Sequence, residues 1–156
     1  MRLDSDQELG YEEQSQDLML HLLTASLLIL SVAAIFYAWV EPSILMSMFA
    51  IKQISAFFYG AFILGYHRLL LHDWFSPDEL ASATKWAIAL YALFSAQFHQ
   101  TFFKPYRPKR WAMTGLNLAL AGAFISCALV AGGWVSWGLL VNKLVALYLP
   151  VWLMVL

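Results

Sequence analysis

An all-α bundle of transmembrane helices is the fold this sequence predicts, and three observations predict it. Of its 156 residues, 62% are hydrophobic and only 12% charged, against roughly 45–50% apolar and 25% charged in an average soluble domain. The apolar residues are gathered into runs of about 20 or more, the length a helix needs at about 1.5 Å per residue to cross about 30 Å of hydrocarbon. Most charges are kept out of those runs: six of the ten acids lie in the first 17 residues, and four of the nine bases lie between Lys104 and Arg110. Hydrocarbon offers backbone amides no partner, so each segment must bond within itself as a helix.

Five spans are expected behind an acidic tail at 1–17, making one membrane domain over 18–156. The first covers 18–40, closed by Glu41 and Pro42, and 44–72 forms the second, closed by Asp73 and long enough to tilt. Ser76-Pro77-Asp78-Glu79 carries a capping serine, a proline at the first helical position and a glutamate three residues after the cap, so the third span starts there and runs over 77–103. The fourth and fifth occupy 111–131 and 137–156, with Gly132-Gly133 as the turn between them. That last boundary carries no charge, so four spans plus a re-entrant hairpin are the alternative. An acidic start followed by a run longer than the 7–15 residues of a signal-peptide core predicts that the first span stays as an anchor.

Lys104, Arg107, Lys109 and Arg110 form the one strong basic cluster, and the positive-inside rule predicts that their loop is cytoplasmic. The N-terminus is then outside and the C-terminus inside, as in a multi-pass protein of a bacterial inner membrane. Phe102, Phe103, Tyr106 and Trp111 flank the basic loop, and Trp74, Phe75, Trp134 and Trp137 mark the outer ends, where amphipathic rings favour the headgroup layer. The loop bases are candidates for anionic lipid or an acidic partner; the patch is too short for nucleic acid.

Helices in lipid associate through close packing and interhelical hydrogen bonds, so small residues are the signal to read. Gly115, Ala119, Ala123, Cys127 and Ala131 recur at four-residue spacing, with Gly122 and Ser126 beside them, and predict a smooth face for packing within the bundle or against a partner. Ala56 with Gly60 and Ala61 with Gly65 are shorter versions. Cys127 is the only cysteine and reads as a packing residue. Pro150 interrupts the fifth span and frees a carbonyl.

Ionisable groups at membrane depth are expensive and so mark candidate sites. Lys52 with Gln53, and Lys143 with Asn142, lie inside spans, while no acid lies beyond the first turn of one. Both lysines can snorkel; otherwise a counter-charge must come from another chain, a lipid phosphate or an anion. Gln97, His99, Gln100 and Asn117 are the other intramembrane polar residues. His21 and His67 share a depth on this topology and are candidate axial ligands of a b-type haem, with Arg68 or Lys85 to meet its propionates. His67 and His72 are five apart, which splits them across a helix and disfavours a metal pair. No nucleophile motif, phosphate loop or paired cysteine is present, so no enzyme is predicted. The leading expectation is a small non-catalytic subunit of a larger membrane complex, in contact with lipid and with other subunits or copies of itself. An oligomeric pore or carrier and a haem-bearing electron-transfer subunit are the alternatives.

Overall fold

The computed structural model describes residues 2–71 and 73–155, with side chains for 18–68, 71 and 73–154. Among the described residues there are six α-helices: α1 Arg2–Val40, α2 Ile44–Ile63, α3 Tyr66–Leu71, α4 Pro77–Phe103, α5 Arg110–Ala131 and α6 Val135–Val155. A short 3-10 turn, Lys104–Tyr106, joins α4 to α5, and no strand occurs among the described residues. Helices of this length and composition at Leu18–Val40, Ile44–Ile63, Arg110–Ala131 and Val135–Met154 suffice for four membrane crossings, and the chain is a multi-pass membrane protein on that basis.

Local chemistry sets the boundaries. Ser43 accepts the Met46 amide at 3.2 Å and starts α2. At α4 the capping box forms in full: the Ser76 amide and hydroxyl each donate to Glu79 Oε2 at 2.8 Å, and the Glu79 amide donates back to Ser76 Oγ at 3.3 Å. Ser76→Ala removes the acceptor of the Glu79 amide and is expected to cost about 1 kcal/mol, which thermal melts in detergent check.

Between α5 and α6 the predicted glycine turn is present. Gly133 has φ +81°, and the Trp134 amide reaches back to the Leu129 carbonyl at 2.8 Å, a glycine-capped helix end. α6 consequently begins at Val135, two residues before the expected 137.

The sequence reading fails in the second span. The expected continuous run over 44–72 is divided at Leu64–Gly65, where Gly65 takes φ +79° and receives the Arg68 amide at its carbonyl. A left-handed residue ends a helix whatever the hydropathy around it, and glycine adopts that conformation without strain. Gly65 is thus a breaker and not a packing notch: a Cβ there meets nothing within 4 Å.

Neighbouring long helices run antiparallel. α1 lies on α2, with Leu27 against Gly60 and the Ser31 hydroxyl donating to the Gln53 carbonyl at 2.9 Å. α2 lies along α4 from Phe49 against Phe98 (5.7 Å between ring centres) to Tyr59 stacked on Tyr91 (4.9 Å), and α3 continues the contact with His67 beside Thr84. α4 also touches α5 and α6, which pack on each other, so it is the helix with the most protein around it. The core is Ala92, Ala96, Leu116, Ala119, Ala123, Val145 and Leu149. Outside are large apolar side chains such as Ile29, Phe36, Leu118, Phe124, Leu147 and Met154. Small residues inside and large ones outside reverse the order of a soluble domain and suit a solvent of hydrocarbon.

Candidate functional site: the polar groups of the bundle

The four-residue ladder of α5 does not form one face. At 3.6 residues per turn each four-residue step advances about 40°, so a row that starts buried winds outward. Gly115, Ala119 and Ala123 are buried, Cys127 is half-buried and Ala131 is exposed. The buried stripe is instead Ala112, Gly115, Leu116, Ala119, Ala123, Ser126 and Val130, which follows the true helical period. α4 and α6 cover it, so its role is internal packing. Trp152 of α6 seats its indole on Gly115 and donates Nε1–H to the Ala112 carbonyl at 3.1 Å. Ser126, fully buried, donates to the Gly138 carbonyl at 2.8 Å. In α2, Ala56 is buried and Gly60 faces Leu27.

Most interior polar side chains bond a neighbouring helix or their own. Gln100 donates to Asn117 Oδ1 at 2.6 Å, tying α4 to α5. His99 Nδ1 meets the Ser95 carbonyl at 2.6 Å, and the Gln97 carbonyl accepts the Thr101 hydroxyl at 2.9 Å. Asn142, 6% exposed, sends Nδ2 to the Ile88 carbonyl at 3.4 Å and leaves Oδ1 without a partner among the described residues. Lys52 places its ammonium 4.8 Å from the centre of the Phe98 ring, a cation–π contact that needs no snorkelling to water. Lys143 is exposed on the outer side of α6, between Leu140 and Leu144, also exposed.

The two candidate haem ligands have separate partners. His21 Nδ1 bonds the Tyr66 hydroxyl, whereas His67, 5% exposed, stacks on Phe62 at 4.5 Å and bonds Thr84 of α4 through Nε2 at 3.3 Å. His72 lies outside the described residues, and no group of three or more His, Cys, Asp or Glu side chains suited to a metal occurs among those described.

Among the described residues, three of the spaces in or on the bundle bear on these groups. A cavity of about 150 Å³ between α2, α4 and α6 is lined by Tyr59, Tyr91, Ser95, Asn142 and Pro150 among others. Since Pro150 has no amide hydrogen, the Ala146 carbonyl at the same cavity loses its helical donor. A groove of about 430 Å³ along α2 and α4 is almost wholly apolar, with Phe58, Phe62, Trp86 and Phe94 in its walls. The third, about 580 Å³, is a cleft at the basic-loop end, lined by Ile44, Leu45, Gln100, Thr101, Lys104, Pro105, Met113 and Asn117. None of the three is lined by His21 or His67, and Asn142 does not share a space with Gln100 and Asn117.

Lys104, Arg107, Lys109 and Arg110 are all exposed, and Arg107 takes φ 48° to turn the chain into α5. Sequence reasoning missed Trp152, Ser31, Thr84, Tyr59 and Tyr91, because each acts through a residue on another helix. Only Gly115 with Trp152 left a trace, a glycine and a large ring at the same depth of adjoining spans. No protein-family model, curated protein or solved structure matches this chain.

Proposed function

We propose that this chain is a small, non-catalytic integral subunit of a larger membrane assembly, with an anchoring and packing role. Lys143 carries the reading. It lies eight residues into α6, about 12 Å from Val135, and faces outward among leucines. A lysine there is costly, by about 2.5–3.5 kcal/mol at a helix centre. No acid lies in the apolar helices to offset it. A carboxylate on a neighbouring subunit supplies the missing partner. The interior supports the same role, because its polar groups tie helix to helix and sit in separate spaces instead of lining one path.

In this reading α4 crosses the bilayer as a fifth span. It falls outside the four helices apolar enough to qualify by composition, since Gln97, His99, Gln100 and Thr101 dilute its apolar run. It nevertheless packs beside α2 from Phe49 to Tyr59, with α5 and α6 against it as well. The basic loop then faces the cytoplasm, the N-terminus the outside, and the membrane is a bacterial inner membrane.

Purification from native membranes in a gentle detergent, followed by mass spectrometry, tests the proposal. Other membrane proteins are expected at fixed ratio to this chain, and Lys143→Glu is expected to release them. A monodisperse monomer with nothing bound overturns the reading, as does a complex indifferent to Lys143→Glu.

A further inference from the structure

The subunit reading leaves the basic-loop end of the bundle without a task, yet that end contains the largest of the three spaces. We infer that the cleft between the start of α2, the end of α4 and the start of α5 binds the headgroup of an anionic phospholipid.

The walls divide as such a ligand divides. Gln100, Thr101, Lys104 and Asn117 form a polar side, and Ile44, Leu45, Pro105 and Met113 an apolar one. Hydrogen-bonding capacity on the polar side is weighted toward donors. Asn117 uses its carbonyl oxygen on Gln100 and keeps its amide hydrogens, and Lys104 has no carboxylate partner among the described residues. A lysine without a carboxylate partner beside amide hydrogens left over on Asn117 fits an oxygen-rich anion. The first turn of α2, through Ile44 and Leu45, adds amides that lack helical acceptors and the positive end of a helix dipole.

Depth agrees with the ligand. Lys104 stands at the end of α4, where headgroups lie, while Asn117 is seven residues into α5, about 10 Å toward the bilayer centre. A phosphate at the mouth and ester and acyl carbons against Met113 and Leu45 follow that order from polar to apolar. Arg107, Lys109 and Arg110 follow Lys104 in the chain and are exposed, and Glu41, in the linker before α2, is the acid described at this end. The surplus of positive charge draws an anionic headgroup in preference to a zwitterionic one. A cleft of about 580 Å³ is in the range of ordinary ligand sites.

Native mass spectrometry of the full chain in a non-ionic detergent, titrated with phosphatidylglycerol, phosphatidylcholine or inorganic phosphate, tests the inference. Phosphatidylglycerol is expected to bind at clearly lower concentration than phosphatidylcholine, with inorganic phosphate unable to displace it. Lys104→Gln is expected to weaken phosphatidylglycerol about fivefold and leave phosphatidylcholine unchanged. Asn117→Asp, which puts a carboxylate into the cleft, abolishes the preference. Lys109→Gln, in the same loop but outside the lining, changes it less than Lys104→Gln. Equal binding of the two lipids, equal effects of the two lysine variants, or displacement by inorganic phosphate each overturns the inference: the last marks a free-anion site and the second a diffuse surface attraction. Since the readout needs no partner protein, its failure leaves the subunit proposal standing.

Discussion

Gly115→Ala is expected to destabilise the bundle by about 2–3 kcal/mol, and Gly115→Leu to prevent recovery of folded protein. A Cβ at this position falls far inside contact distance of Trp152 Cε2, Cζ2 and Nε1. The ring has nowhere cheap to go. Its Nε1–H is bonded to the Ala112 carbonyl, its face is stacked on Tyr148 at 5.5 Å, and Trp111 meets it edge-on at 5.6 Å. Moving it breaks a hydrogen bond and two aromatic contacts, each contact worth about 0.5–1.5 kcal/mol. Denaturant unfolding in detergent measures the cost, and a double-mutant cycle locates it. With Trp152→Leu in the background, the penalty of Gly115→Ala is expected to fall by at least half. An unchanged penalty shows that the indole is not what Gly115 accommodates.

Sequence alone reveals the parts of this architecture that depend on neighbours along the chain. The capping box at Ser76 and the turn at Gly133 satisfy amides a few residues away, so their chemistry is complete in four or six letters. Gly65 was misread because its run is apolar on both sides, and a glycine used for left-handed backbone looks the same in sequence as one used for close approach. The α5 ladder was misread on period: four-residue spacing holds for one or two turns and then drifts round the helix. The remaining gaps are tertiary. Whether Asn117 lines a pore or bonds Gln100 depends on which helices are neighbours and at what rotation, which the one-dimensional pattern does not encode.

α4 shows how that missing layer changes a reading. Its polar residues place it below the apolarity of the other long helices, yet it is the one that contacts α2, α5 and α6. A helix encased by others needs less hydrophobicity than one facing lipid, because partner helices satisfy its polar groups. α1 is the converse case. Its part Leu18–Val40 is apolar on nearly every side, and the buried residues there are a narrow row of Thr24, Ser31 and Ala34. The polar content of each helix therefore tracks how much protein surrounds it, which accounts for the position of α4 in the bundle without assigning its side chains a transport task.

The hairpin of α5 and α6 gives the second large effect. Gly138→Leu is expected to cost about 2–3 kcal/mol, because backbone atoms as well as a side chain obstruct it. A Cβ at Gly138 lies 3.0 Å from the Ser126 carbonyl oxygen and 3.2 Å from the Val130 amide nitrogen, besides 2.8 Å from Val130 Cγ2. The helices must separate to admit it. Separation also stretches the bond from the Ser126 hydroxyl to the Gly138 carbonyl, where interhelical bonds in membranes average about 0.6 kcal/mol. Two controls set the scale. Gly122→Ala meets only Val145 Cγ2, at 2.8 Å, and a rotamer change relieves most of it. Gly133→Ala meets nothing within 4 Å and carries only the left-handed backbone penalty, about 1–2 kcal/mol. The expected order of destabilisation is Gly138→Leu above both controls, read from thermal midpoints in one detergent. Should Gly122→Ala equal or exceed it, side-chain crowding and not backbone approach governs how closely α5 and α6 pack.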